Sequence, residues 1–178
     1  DYYTNQGSAF LIDADGTCIS NYHIFKNAIR GKVKTCDGNT FSIVDIISKN
    51  EEKDYIVFKV ALGGANIAPL TVSKEQPKIG EDCFAIGNPR GLSQTLSKGI
   101  VSGFRNNREL IQITAEITHG SSGGALFNKK GEVIGITTSG YGEADLNFAV
   151  NIDNVRYNSK VSNYSSLSPN STLNFIVI

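Results

Sequence analysis

Gly120, Ser121, Ser122, Gly123 and Gly124 place two hydroxyls among three glycines, between the apolar stretches 110–115 and 125–127. A serine nucleophile needs its Oγ presented at a tight turn, with neighbouring backbone N–H groups converging where a carbonyl oxygen becomes an oxyanion. Glycine permits that backbone geometry, so the loop suits acyl transfer, with Ser122 attacking and the N–H groups of Gly120 and Ser122 forming the oxyanion hole. A glycine-rich segment of this kind is also an ordinary β-turn, and only its context separates the two readings. The nucleophile requires a base that titrates near neutrality, and the chain has two histidines, His23 and His119. It also requires an acid to orient the base. Of Glu51, Glu52 and Asp54, only Asp54 abuts the compact apolar run 55–60, where a carboxylate is shielded from water; Glu51 and Glu52 read as solvated loop charges.

The elements that must position these groups read as short strands. Residues 8–12 and 17–21 flank a turn at Asp13, Ala14, Asp15 and Gly16, and 32–35 and 40–48 flank Asp37, Gly38 and Asn39. With the run 55–60 they form a first group. The Gly, Ala and Pro-rich stretch 61–77 connects to a second group at 83–86, 96–101, 110–115, 125–127, 133–138 and 146–150. Two sets of antiparallel strands predict an all-β fold of two barrels. Helical periodicity is weak and confined to the residues after His23 and around Asn154. The expected organisation is a first barrel over residues 1–72 carrying His23 and Asp54, a second over 73–161 carrying Ser122, and a Ser/Asn-rich tail over 162–178, poorly ordered over 162–172.

Seventeen basic residues balance seventeen acidic ones, so no net field favours a nucleic acid or an anionic membrane surface. No apolar run reaches the roughly 20 residues that span a bilayer, and no basic-then-apolar targeting segment opens the sequence. Cys18, Cys36 and Cys83 are odd in number and widely spaced, which fits buried small side chains better than a disulfide framework or a metal site; a bridge between Cys18 and Cys36 stays open.

The segment "IQITAEITHGSSGGALFNKKGEVIGI" resembles the nucleophile region of the HtrA/Deg group of trypsin-like serine proteases. Four other segments resemble the group in the same order: "GSAFLIDADGTCISNYHIF" its first hairpin and catalytic histidine, "DYIVFKV" the strand opened by the catalytic aspartate, "GNPRGLSQTLSKGIVSG" the strand pair before the nucleophile, and "LNFAVNID" the closing segment. The match covers most of the chain from Gly7 to Asp153. It implies two perpendicular six-stranded antiparallel β-barrels with the active site in the cleft between them. It also implies a serine endopeptidase with Ser122 as nucleophile, His23 as base and Asp54 holding the histidine. No metal or organic cofactor is expected, and the partner is a protein or peptide substrate. His119 is then a rim residue of the substrate cleft.

In such proteases the pocket for the residue before the scissile bond is lined by the stretch preceding the nucleophile and by a later strand, here Glu116, Ile117, Thr118 and His119 with Thr137, Thr138, Ser139 and Gly140. Ile117 implies a small apolar pocket, whereas an inward-facing Glu116 would attract Lys or Arg. Thr137 stands where glutamate-specific relatives place a histidine, which disfavours that specificity. The resemblance further implies an extracytoplasmic setting, with the cytoplasm left open, and a homo-oligomer, a trimer built on aromatic residues near the start such as Tyr2 and Tyr3.

The chain departs from the pattern in three places. Ser121 replaces the Asn or Asp that usually precedes the nucleophile, so a zymogen switch built on an aspartate there is not expected. Ile56 stands where a small residue is frequent, and a PDZ domain of the kind many relatives carry is not expected in the residues after the closing segment. The competing reading is a catalytically idle protease-fold module that binds peptides or unfolded protein. Replacing His23 with Ala is expected to abolish peptide hydrolysis while His119→Ala retains most of it; activity surviving in purified His23→Ala would exclude His23 as the base.

Overall fold

The computed structural model describes residues 4–28, 30–87, 95–117, 120–138, 146–157 and, for the backbone, 172–177. Among these lie twelve strands and one short helix. The first group comprises β1 (Thr4–Leu11), β2 (Thr17–Ser20), α1 (Tyr22–Phe25), β3 (Arg30–Thr35), β4 (Thr40–Asn50) and β5 (Tyr55–Val60). The second comprises β6 (Asp82–Gly87), β7 (Thr95–Arg105), β8 (Leu110–Ile113), β9 (Ala125–Asn128), β10 (Val133–Thr138) and β11 (Asn147–Asn151); a 3-10 turn (Ile152–Asn154) and β12 (Thr172–Val177) follow. Strands β1-β12-β3-β4-β5-β2 close one barrel and β10-β11-β8-β7-β6-β9 the other.

Strand alternation sends successive side chains to opposite faces, and both faces are used. Ile56, Phe58 and Val60 of β5 point into the first barrel with Ala9, Leu11 and Cys18. Their neighbours Tyr55 and Val57 point the other way, into a core shared with Phe10 and Ile19 of the first barrel and Phe127, Ile136 and Phe148 of the second. A third cluster, with Ile111, Leu126 and Ile134, fills the second barrel. The inter-barrel face is therefore as apolar as either interior, which explains why residues 55–60 read as a compact apolar run with Lys59 its one charged member. Each fully buried Phe or Ile contributes about 1.5–3 kcal/mol, so this shared core fixes one barrel firmly against the other. At its margin, Lys53 Nζ meets Glu109 Oε1 at 2.7 Å, and Ser48 Oγ donates to the Arg156 carbonyl at 2.6 Å.

The stretch 61–77 does connect the two barrels, and its end is tied down. Val72 bridges Val133, and Ser73 Oγ donates to Glu132 Oε2 at 3.1 Å.

The end of the Ser/Asn-rich tail region belongs to the first barrel. Residues 172–177 form β12, which lies parallel to both β1 and β3, pairing Gly7 with Phe175 and Val33 with the same residue. The Ser/Asn-rich composition stops at Thr172, and the Thr-Leu-Asn-Phe-Ile-Val that follows has strand-forming residue types. The first barrel is accordingly not wholly antiparallel, nor built from a contiguous stretch of chain. Tyr2 and Tyr3 lie outside the described residues.

All three cysteines are free, with Cys18 and Cys83 buried in separate barrels and Cys36 exposed. Burial pushes the Cys18 thiol up to about 12 and the Cys83 thiol up to about 11, from an ordinary 9.0. The folded chain keeps these protons longer than the unfolded chain, so this contribution to stability is lost as pH rises from about 9 toward 12. Iodoacetamide at pH 8 is expected to modify Cys36 alone in the native protein and all three thiols in denaturant, read by intact mass; equal native reactivity of Cys18 or Cys83 would contradict the burial.

Candidate active site

Asp54 ends the tight turn between β4 and β5 with a left-handed backbone, φ 51°. Asp tolerates that conformation better than most residues, but it still needs support from its surroundings. Asn21, at the end of β2 and wholly buried, supplies it: its side-chain amide donates to the Asp54 carbonyl at 3.0 Å. The amide of Asn21 is thus directed at Asp54, and it makes no side-chain cap to α1.

The Asp54 carboxylate, 5% exposed as a residue, holds residue 23 twice. One oxygen accepts the His23 backbone N–H at 2.8 Å, and the other lies 2.8 Å from His23 Nδ1. A carboxylate that only accepts selects the tautomer with the proton on Nδ1, leaving Nε2 as the basic nitrogen. His23 sits in α1, whose Ile24 and Phe25 are buried in the first barrel, while its own side chain is 45% exposed. The ring is therefore anchored on one edge and open on the other. Thr138 Oγ1 approaches Asp54 Oδ2 from the second barrel at 3.5 Å, the outer limit of a hydrogen bond.

The nucleophile loop hangs between the barrels. Its 122–123 peptide unit accepts from Ser8 N–H of β1 through the Ser122 carbonyl and donates to the Thr137 carbonyl of β10 through the Gly123 N–H, each at 2.8 Å. In the unit before it, the Ser121 carbonyl accepts Thr137 Oγ1 at 2.6 Å. The C=O and N–H of a trans peptide point in opposite directions, so the Ser122 N–H faces away from Thr137. Ser8 Oγ donates to the Gly120 carbonyl at 2.8 Å. Gly120 and Gly123 have φ 95° and 87°, and a Cβ on Gly123 would lie 2.1 Å from the Ser8 carbonyl oxygen and 2.3 Å from Ser20 Oγ. The loop thus packs directly on the strands that precede His23.

His23 and Asp54 are in contact, and the backbone of Ser122 is bonded to β1 of the barrel that carries them. Glu116 and Ile117 line a cleft of about 170 Å³ with Ala85, Gly87, Leu96 and Ser121. Thr137 and Thr138 are not part of that lining: both are buried, and their hydroxyls serve the nucleophile loop and Asp54. Thr118, His119, Ser139 and Gly140 lie outside the described residues. Ser8, Ser20 and Asn21 are site residues that reading the sequence did not single out. Their only local sign is a polar side chain in stretches otherwise destined for burial.

The Trypsin-like peptidase domain family matches residues 7–136. Among curated relatives, serine endoprotease DegS of Haemophilus influenzae is 34% identical over 163 residues, covering 84% of this chain and 47% of that protein. Serine protease HTRA1 of Xenopus laevis is 36% identical over 160 residues, covering 84% of this chain and 34% of the relative. The chain thus spans about half of these relatives or less. Among solved structures, the serine endoprotease from Yersinia pestis aligns with TM-score 0.74 at 29% identity, covering 83% of this chain and 53% of that one. The HtrA-type protease AlgW with decapeptide also aligns with TM-score 0.74, at 30% identity, covering 83% and 48%.

Gly123→Ala is expected to cost about 2 kcal/mol or more through its left-handed backbone and the clash with β1. That corresponds to a Tm lower by ~4–8 °C in a chain of this size, measured by thermal unfolding. An unchanged Tm would mean that the loop does not rest on β1.

Proposed function

We propose, for a chain that belongs to the trypsin-like peptidase family alongside the DegS and HTRA1 proteases, a serine endopeptidase activity carried by Ser122, His23 and Asp54. The observation that supports this most is the double hold of Asp54 on residue 23, at 2.8 Å to both backbone and ring. It prepares one imidazole nitrogen to accept a proton and provides a fixed negative charge against the imidazolium that results.

In the proposed cycle, Ser122 Oγ attacks a peptide carbonyl as His23 Nε2 takes its proton. The tetrahedral oxyanion is stabilised by the N–H groups of Gly120 and Ser122, each such donor accounting for about 100- to 1,000-fold in rate. His23 then gives its proton to the leaving amine, and the acyl-enzyme is hydrolysed by water activated at the same nitrogen. Asp54 stays ionised throughout and orients the ring. The substrate is a protein or peptide.

For the residue before the scissile bond we favour a small apolar side chain. Ile117 borders the nucleophile loop, and the hydroxyls of Thr137 and Thr138 are committed elsewhere, so β10 offers no polar side chain from these positions to a substrate.

A fluorophosphonate probe is expected to label wild-type protein on Ser122, identified by peptide mass mapping. Asp54→Asn is expected to fold normally and to lose turnover of denatured casein by roughly 10,000-fold. Absence of labelling in folded wild-type protein would favour the idle binding module. Near-normal turnover in Asp54→Asn would remove Asp54 from the mechanism. A positional-scanning peptide library dominated by Lys or Arg would overturn the apolar preference.

A further inference from the structure

Ser8 stands at an unexpected place for a hydroxyl. Along β1, Ala9 and Leu11 face the first barrel's interior, and Phe10 faces the apolar core between the barrels. Alternation puts Ser8 on the same side as Phe10, and it is 0% exposed. An alanine or valine would match those surroundings. The hydroxyl instead reaches a carbonyl 112 residues away in sequence, donating to Gly120 O at 2.8 Å. Ser8 also donates its N–H to the Ser122 carbonyl at 2.8 Å and accepts from Ser20 Oγ at 2.7 Å on its own carbonyl. One strand residue thus grips the loop on both sides of Ser121, and is itself gripped by the strand leading to His23.

We infer that the Ser8 hydroxyl is a positioning group for the oxyanion hole, an inference that rests on the peptidase activity proposed above. The physical reason lies in Gly120. Lacking a Cβ, glycine turns about both of its backbone bonds at little cost, and at φ 95° nothing in its own chemistry holds it there. The Thr137 hydroxyl, on the Ser121 carbonyl, orients the peptide unit carrying the Ser122 N–H, and the backbone bond from Ser8 to the Ser122 carbonyl holds the unit after it. The unit that follows Gly120 is oriented by the Ser8 hydroxyl. That 120–121 unit joins the two oxyanion donors, the Gly120 N–H on one side and the Ser122 N–H on the other; with its carbonyl anchored their spacing is held, and without the anchor the unit is free to swing and the donors lose their convergence. A backbone N–H donates from β1 whatever the residue type, so the side-chain bond is the part of this grip that residue choice controls.

The test compares Ser8→Ala and Ser8→Thr with wild-type protein. The readouts are the rate of fluorophosphonate labelling, the inhibition constant of a peptide aldehyde ending in an apolar residue, and kcat and KM on a peptide substrate drawn from the library. Ser8→Ala is expected to lower kcat and the labelling rate by about 10- to 100-fold, less than outright loss of an oxyanion donor. The aldehyde is expected to bind more weakly by a similar factor, with KM within about twofold and the acid limb of the pH–rate profile unmoved, because Asp54 and His23 are untouched. Ser8→Thr, which keeps the hydroxyl, is expected to recover most of the loss. Should Ser8→Ala not fold, Ser8→Cys, similar in volume and a weak donor, takes its place with the same expectation. Wild-type-like rates in the Ala variant, or equal losses in the Ala and Thr variants, would overturn the inference while leaving the peptidase reading in place. Folded wild-type protein that neither labels nor cleaves would overturn both.

Discussion

A single carboxylate holding one residue by both its backbone and its ring is the constraint around which this molecule is arranged. Asp54 can do so only from a left-handed backbone, φ 51°, at the end of a turn, with its carbonyl satisfied by the buried amide of Asn21. Each of these features is costly in isolation: a strained dihedral, a buried amide, a charge withdrawn from water. They persist together because β2, β5 and α1 converge on one point of a packed barrel. Closing that barrel is what gives the imidazole a fixed edge and an open edge.

The second barrel contributes a loop of peptide units whose directions alternate between two supports. Ser122 and Gly120 present carbonyls to β1, and Ser121 presents its carbonyl to Thr137 of β10. Because each trans peptide carries its N–H opposite its C=O, fixing the carbonyls also fixes where the N–H groups look. The glycines make the path sterically feasible but do not choose it, and the hydrogen bonds from the flanking strands make that choice. Between these supports lies the shared apolar core of Phe10, Val57, Phe127 and Ile136, which keeps β1 and β10 at the separation the loop requires.

Burial also sorts the hydroxyl and thiol groups of the chain by task. Ser8, Ser20, Thr137 and Thr138 are buried, and each has a partner in or beside the site. Cys18 and Cys83 are packed into the barrel interiors, where loss of solvation keeps their thiols protonated. Small polar side chains are thus used where backbone carbonyls need anchoring, and sulfur where a strand needs a small apolar filler.

Much of this was legible from residue order because it depends on local chemistry. The alternation of β1 and β2, the doubly buried run of β5, the turn before it and the Gly-Ser-Ser-Gly-Gly loop are all set by neighbouring residues, whose periodicity and conformational freedom can be read along the chain. Asp54 stood out from Glu51 and Glu52 by adjacency alone. Other features have no local signature. Ser8 and Gly120 are 112 positions apart, Thr138 and Asp54 are 84 apart, and β12 enters the first barrel from the far end of the chain. Thr137 and Thr138 look from the sequence like pocket-lining groups, yet the packing turns both inward. Residue order determined which groups had the right chemistry and which backbone could bend; only closure of two barrels against a common core decided which of them meet, because a hydrogen bond between distant strands is specified by packing and not by spacing.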